Sequence, residues 1–292
     1  MISICTPTFN RRPFIPNIIK CVKNQTIDLS NVEWVIIDDG SDPVEDLFRN
    51  IDFITTRYIR MNDKLTIGAK RNMLCEVARG EIIVFMDDDD YYPPERVESA
   101  FTALRDNPNF DVAGTSEMYI FFTSNHKIIK FGPYSDNHAT AATLAIRKKY
   151  WKKNKFPNSS IGEESQFLNG YTTPVLQLNP FNTILAFSHN HSSCDKNELL
   201  ENLDNNKATI TDLTFRDWNI YRVPEWIGML QLYTCGQLKD KPDVYIEILE
   251  KKVKRLHTEV SALQNNNYQL MMKVEQQNRL IEYLRTNYSI NK

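Results

Sequence analysis

The sequence predicts an α/β fold built on a mostly parallel sheet. Three observations carry this: short β-rich apolar runs alternate with helix-periodic segments through the first half, carboxylates gather just after two of those runs, and the composition is that of an ordinary globular chain. Strands alternating with helices assemble as right-handed βαβ units with helices on both faces. In such sheets ligands bind beyond the carboxyl ends of the strands. Hydrophobic residues make up 41% and charged residues 25% of 292 residues, a balance that supports a sizeable core, one main domain and an appendage.

The runs ISIC at 2–5, EWVII at 33–37, TRYI at 56–59 and IIVFM at 82–86 are the candidate buried strands. Each is short, apolar and rich in β-branched or aromatic side chains. Between them, 13–24, 66–78 and 94–106 place apolar residues at helical spacing. From about residue 110 the pattern turns strand-like, with FDVAG, EMYIFF, HKIIKF and TLAIR in succession, which predicts a mixed extension of the sheet. The polar, Asn-rich stretch 195–210 predicts a surface connection or short helix closing a domain over 1–195, with a helical region over 196–241. From 242 the chain reads as a coiled coil. Heptad a positions run Ile246, Val253, Val260, Asn267, Val274, Ile281 and Tyr288, with Leu249, Leu256, Leu263, Leu270, Gln277 and Leu284 at d. β-Branched residues at a with Leu at d favour a parallel two-stranded coil, so a homodimer through 246–288 is expected. A long amphipathic helix folded back on its own domain is the alternative.

The formal net charge of −2 provides no field for a polyanion, and nucleic acid is excluded as a default partner. The first ten residues, MISICTPTFN, hold no positive leader, and no run approaches ~18 apolar residues, so neither a secretory signal nor a transmembrane segment is expected and the compartment reads as cytoplasmic. The five cysteines are scattered without CxxC spacing, consistent with reduced thiols.

The chemistry concentrates in MDDDDYY at 86–92, directly after IIVFM. Adjacent carboxylates repel one another, and a hard divalent cation such as Mg²⁺ or Mn²⁺ relieves that cost; a solvated acidic cap opening the next helix is the bland reading. A second acidic turn, Asp38-Asp39-Gly40-Ser41, follows EWVII, so both clusters should emerge on one sheet edge, where an aspartate can accept a hydrogen bond from a nucleotide base. Gly68-Ala-Lys-Arg-Asn72 opens a predicted helix, where Lys70 or Arg71 could answer the acidic edge or a phosphate. His189 and His191, after the run TILAF, could ligate a cation or donate to phosphate.

PTFNR at 7–11, DDGS at 38–41, GAKRN at 68–72 and DDDD at 87–90 together resemble, in order and spacing, the family 2 glycosyltransferases of the GT-A fold, a Rossmann-like mixed sheet. The resemblance covers roughly residues 1–190. It implies that Thr6, Pro7, Thr8, Phe9 and Asp39 hold the nucleotide base, with Phe9 stacked on it, and that Arg71 supports the base or diphosphate. It also implies that Asp87 and Asp89 are the outer carboxylates of the DxD motif, that Asp88 approaches the ribose, and that Asp89 leads the metal ligands, with Asp87, His189 or His191 beside it. Gly162-Glu163-Glu164 resembles the segment whose final carboxylate is the catalytic base, here Glu164, with Glu163 as competitor. The implied reaction is metal-dependent transfer, with inversion, from a UDP-sugar to an acceptor hydroxyl of a glycan, protein or small molecule. A nucleotidyltransferase-like enzyme and a non-catalytic sugar-binding scaffold stay open beside it.

Overall fold

The computed structural model describes residues 1–123, 125, 127–189, 196, 198–201 and 207–218. The chain divides into Met1–Thr234 and Cys235–Lys292, and every described residue belongs to the first unit. The heptad of 246–288, the region 219–241 and His191 lie outside the described residues.

The elements run β1 (Ile2–Thr8), α1 (Ile15–Lys23), β2 (Val32–Asp38), α2 (Glu45–Phe48), β3 (Thr55–Arg60), α3 (Ile67–Val77), β4 (Ile82–Phe85) and α4 (Arg96–Asp106). They continue with β5 (Val112–Gly114), β6 (Met118–Phe122), β7 (Lys127–Phe131), β8 (Ala145–Arg147), α5 (Lys148–Lys153), α6 (Glu163–Phe167), β9 (Val175–Gln177), β10 (Ala186–Ser188), α7 (Glu198–Glu201) and β11 (Ala208–Ile210). A seven-stranded sheet has the order β3-β2-β1-β4-β8-β5-β9. β1 pairs in parallel with both β2 and β4, β2 with β3 and β5 with β9, while β8 runs antiparallel between β4 and β5. Because β8 alone is reversed, β1, β2, β4, β5 and β9 all end on one edge.

The strands are buried on both faces, which explains their unbroken apolar runs. Ile4, Trp34, Ile36 and Val84 pack to one side with Ile15, Ile18, Val22 and Leu104 from α1 and α4. Cys5, Val35, Ile37, Ile83 and Phe85 pack to the other with Leu74, Cys75 and Trp151 from α3 and α5. The two edge strands, β3 and β9, are the exceptions and stay partly exposed.

The later strand runs divide between two sheets. FDVAG and TLAIR supply β5 and β8 of the main sheet, whereas EMYIFF and HKIIKF supply β6 and β7 of a separate four-stranded sheet, order β10-β6-β7-β11. Alternation cannot distinguish these outcomes, because the pairing partner is set by which strand reaches it in space.

Candidate functional site

The site begins where β1, β2 and β4 end side by side. Thr6, Pro7 and Thr8 are the last residues of β1 and fully paired in its ladder, with the loop starting at Phe9. The buried Thr6 Oγ1 donates to the Met86 carbonyl at 2.7 Å and accepts from Trp34 Nε1 at 2.9 Å, lacing three strand ends together. Gly40 brings the next loop in. A Cβ there would lie 2.5 Å from the Asn10 nitrogen and 2.6 Å from Asn10 Oδ1, so this glycine is required by close approach of the 9–11 loop.

The two aspartates after β2 have different duties. Asp38 turns back on its own loop, accepting from the Gly40 nitrogen at 2.8 Å and the Val44 nitrogen at 3.1 Å. Asp39 faces α3: Lys70 Nζ lies 2.8 Å from Oδ1, and the Leu65 nitrogen donates to Oδ2 at 2.6 Å. A carboxylate has about four acceptor positions, so these bonds do not exhaust the buried Asp39. Phe9 lies beneath two ammonium groups, Lys64 Nζ at 4.5 Å and Lys70 Nζ at 5.6 Å from its centroid.

α3 supplies the cations because of how it starts. Thr66 caps it, accepting from the Ala69 nitrogen at 3.2 Å, and Gly68 lets the backbone of Pro157 pass where a Cβ would lie 1.9 Å from its carbonyl oxygen. Consecutive helix residues project ~100° apart, so Lys70 reaches the β2 end while Arg71 reaches the β4 end. Arg71 makes a bidentate pair with Asp87 at 3.0 and 2.9 Å, and its Nε donates to Glu163 Oε1 at 3.1 Å. Burial opposes its charge, but Asp87 and Glu163 outweigh burial and raise the guanidinium above its ordinary range.

The four consecutive aspartates turn to different partners, with only Arg11 shared, between Asp88 and Asp89. Asp87 is held by Arg71, and its nitrogen donates to the Tyr92 hydroxyl at 2.6 Å. Asp88 is buried, 3.6 Å from Arg11 Nε, and its Oδ2 has no hydrogen-bond partner among the described residues. Burial and the adjacent Asp89 push its proton affinity well up. Asp89 Oδ2 lies 3.1 Å from Arg11 Nη2 and 3.4 Å from His189 Nε2; although burial opposes it, His189 and Arg11 hold this carboxyl below the usual range. Asp90 faces the second sheet, accepting from the Phe187 nitrogen at 2.8 Å with Lys196 Nζ 3.8 Å away, and burial lifts it to about 7.

His189 follows β10, stacks on Phe14 with centroids 4.7 Å apart, and has its proton affinity lowered by burial. Glu163 and Glu164 open α6. Glu163 is buried on Arg71, whereas Glu164 is half-buried, with its proton affinity raised by burial and then by Glu163.

Sequence reasoning assigned no role to Arg11, although it closes the PTFNR run at 7–11 two residues beyond Phe9. It also missed Arg96, fully buried, whose Nη2 donates to the carbonyls of Phe85, Thr143 and Leu144 at 3.1, 2.9 and 3.0 Å and fixes the β4 end. Burial lowers that guanidinium to about 10. Its place in the first turn of an amphipathic helix offered no signal.

Among the described residues no three His, Cys, Asp or Glu side chains gather as a closed metal site. The donor chemistry still fits a divalent ion completed by a diphosphate. Asp89 and His189 converge, Asp88 Oδ2 is an orphaned buried oxygen, and Asp87 to Asp90 with Glu163 face only Arg11, Arg71 and Lys196 as described cations. Carboxylate oxygens suit Mg²⁺ or Mn²⁺ among such ions.

Residues 3–131, which carry both acidic turns, match the family described as glycosyl transferase family 2. The chain is 26% identical over 274 residues to the GalNAc(5)-diNAcBac-PP-undecaprenol beta-1,3-glucosyltransferase of Campylobacter jejuni, across 91% of this chain and 77% of that protein. It is 31% identical over 111 residues to an uncharacterized glycosyltransferase of Haemophilus influenzae, across 38% of this chain and only 37% of that protein's length. Among solved structures, Staphylococcus aureus TarS 1-349 in complex with UDP aligns at TM-score 0.53 and 19% identity, covering 75% of this chain and 68% of that one. A Pyrobaculum calidifontis mannosyltransferase, in complex with GDP-Man and Mn²⁺, aligns at TM-score 0.53 and 13% identity, covering 65% and 58%. These structures establish the GT-A-like α/β fold. The match to glycosyl transferase family 2 falls on residues 3–131, the segment that builds the acidic edge.

Proposed function

We propose that the chain transfers a sugar, with inversion, from a UDP-sugar to an acceptor hydroxyl. The observation that carries this reading is the split between two adjacent glutamates: Glu163 is spent on Arg71, and through it on Asp87, while Glu164 is left half-buried with raised proton affinity beside that chain. A base must be free, near the donor and tuned toward neutrality. Glu164 answers to this as the neighbour of Glu163, within electrostatic reach of Arg71 and with proton affinity raised by burial. It takes the acceptor hydroxyl proton as the acceptor oxygen bonds to the anomeric carbon; the bond from that carbon to the diphosphate oxygen breaks, and its electron pair leaves on UDP.

Asp39 and Phe9 hold the base, and the buried Asp88 faces the ribose. Arg71 keeps Asp87 and Glu163 in register. Asp89 and His189 would hold Mn²⁺ or Mg²⁺, which supplies charge neutralisation for the departing diphosphate. Support for UDP comes from the TarS complex; the GDP-Man complex of the mannosyltransferase makes GDP the competitor to exclude. Calorimetric titration of UDP and GDP, each with and without Mn²⁺, tests the donor assignment: tighter binding of GDP, or no effect of metal, would reject it.

The domain expectation belongs here too. A catalytic unit over 1–195 is read from the polar stretch that follows it and a dimer joined through 246–288 from the heptad; among the described residues no helix is long and apolar enough to cross a membrane. Light scattering of the full chain against a truncation before Pro242 tests the dimer; a monomeric full chain refutes it.

A further inference from the structure

A half-buried aromatic trio stands apart from the donor machinery. The His138 ring lies between two tyrosines, 4.7 Å from the Tyr134 centroid and 4.8 Å from that of Tyr171. Its Nδ1 is buried without a hydrogen-bond partner among the described residues. The trio is pinned beyond the ends of β5 and β9. Ser116 Oγ accepts from the Tyr134 and Ser135 nitrogens at 2.8 and 3.1 Å, and Gln177 Nε2 donates to the Asp136 and His138 carbonyls at 2.8 and 3.0 Å. Those strand ends share the edge on which Asp39 and Asp87 stand.

Tyr171 is held in an unfavourable backbone state. Asn169, Gly170 and Tyr171 have φ of 53°, 64° and 61° in succession, a left-handed run that crowds the Cβ of the two non-glycine residues. The loop around them is over-determined. The Gly170 nitrogen donates to the Ser165 carbonyl at 2.8 Å, the Thr173 nitrogen to the Leu168 carbonyl at 3.2 Å, and Tyr150 Oη binds the Phe167 carbonyl and Thr173 Oγ1, both at 2.8 Å. Strain maintained this way accompanies positioning of a side chain for use. Tyr171 lies seven residues beyond Glu164, close enough for the glutamate's charge to act on its phenol.

We propose that Tyr134, His138 and Tyr171 form the acceptor subsite, an aromatic platform on which the C–H face of a sugar ring stacks with a hydroxyl toward Glu164. This rests on the transferase reading above. A pyranose offers one apolar face with partly positive hydrogens, which complements the negative face of an aromatic ring.

Saturation-transfer NMR of the full chain with the methyl β-glycosides of glucose, galactose, N-acetylglucosamine and N-acetylgalactosamine tests the platform. At least one glycoside should receive saturation on one C–H face from the wild type and from Tyr171→Phe, and lose most of it with Tyr171→Ala and Tyr171→Gly. Tyr171→Gly removes the backbone strain, so its Tm should hold or rise even as the signal disappears. Absence of signal in the wild type, or equal signal in all four proteins, overturns the platform. UDP titration on the same samples judges the donor reading separately, and should be unchanged by every Tyr171 variant.

Discussion

The two acidic turns on the sheet edge look alike as sequence and differ in electrostatics. After β2, Asp38 is consumed by its own loop and Asp39 is matched by Lys70. That turn is neutralised from within. After β4, Asp87 has Arg71, Asp89 shares Arg11 with Asp88, and Asp88 retains an orphaned oxygen. This turn holds more carboxylates than it has cations beside it, and burial pushes Asp88 and Asp90 toward their protonated forms. On the proposed function the first would recognise the base and the second would receive a cation, a difference in how far each turn's carboxylates are answered, which substitution can break.

The largest effect should come from the second turn. Asp89→Ala should reduce UDP affinity in Mn²⁺ to its metal-free level, while Asp39→Ala should weaken UDP equally with and without metal. Calorimetry on both proteins checks this; a metal-dependent loss in Asp39→Ala would erase the distinction.

Next in size is Glu164→Gln, which should bind donor normally yet lose transfer by ~10²-fold or more, as expected for removing a positioned acid–base group. Product formation measured beside UDP binding separates the two effects. If Glu163→Gln loses turnover by more than its stability loss explains, and Glu164→Gln does not, the base is the wrong neighbour.

Arg71→Met strands Asp87 and Glu163 in a buried setting and should cost about 3–5 kcal/mol, the range for removing one partner of a buried ion pair. Lys70→Met, which strands Asp39, tests the same point at the first turn. Urea unfolding of both variants gives the comparison directly.

The smallest effect is on pH. Burial and Glu163 raise the Glu164 carboxyl, and a base acts only when deprotonated, so transfer should rise with pH through a limb displaced above the ordinary glutamate range. The stability sign is opposite: the folded chain binds this proton more tightly than the unfolded one, so the contribution is full at low pH and is lost as pH rises through the folded value. A rate profile at saturating donor, with Glu164→Asp beside wild type, checks the displacement; an unshifted limb in wild type argues against burial as its cause.

The first four strands and three of their helices were legible because each burial face imposes a period on the chain. Ile4, Trp34 and Val84 face one layer, Cys5, Val35 and Ile83 the other, and such alternation within apolar runs is local information. The transfer of β6 and β7 to a second sheet was not legible, nor was α6, five residues long. Residue roles divided the same way. Asp39, Arg71 and Asp89 stood in motifs with chemistry of their own, while Arg11 found its carboxylates at Asp88 and Asp89 and Arg96 bridges carbonyls 11, 47 and 48 residues away.

The sequence by itself determined the parallel core, the edge on which its carboxylates emerge and the cations that follow them on α3, since these depend on side-chain periodicity and on where apolar runs stop. Only the tertiary structure decided how four adjacent aspartates are divided, which glutamate stays free and which aromatic rings meet near it. Those outcomes depend on partners brought together by strand order, and a run of identical residues carries no local signal of which one will be answered by a distant arginine.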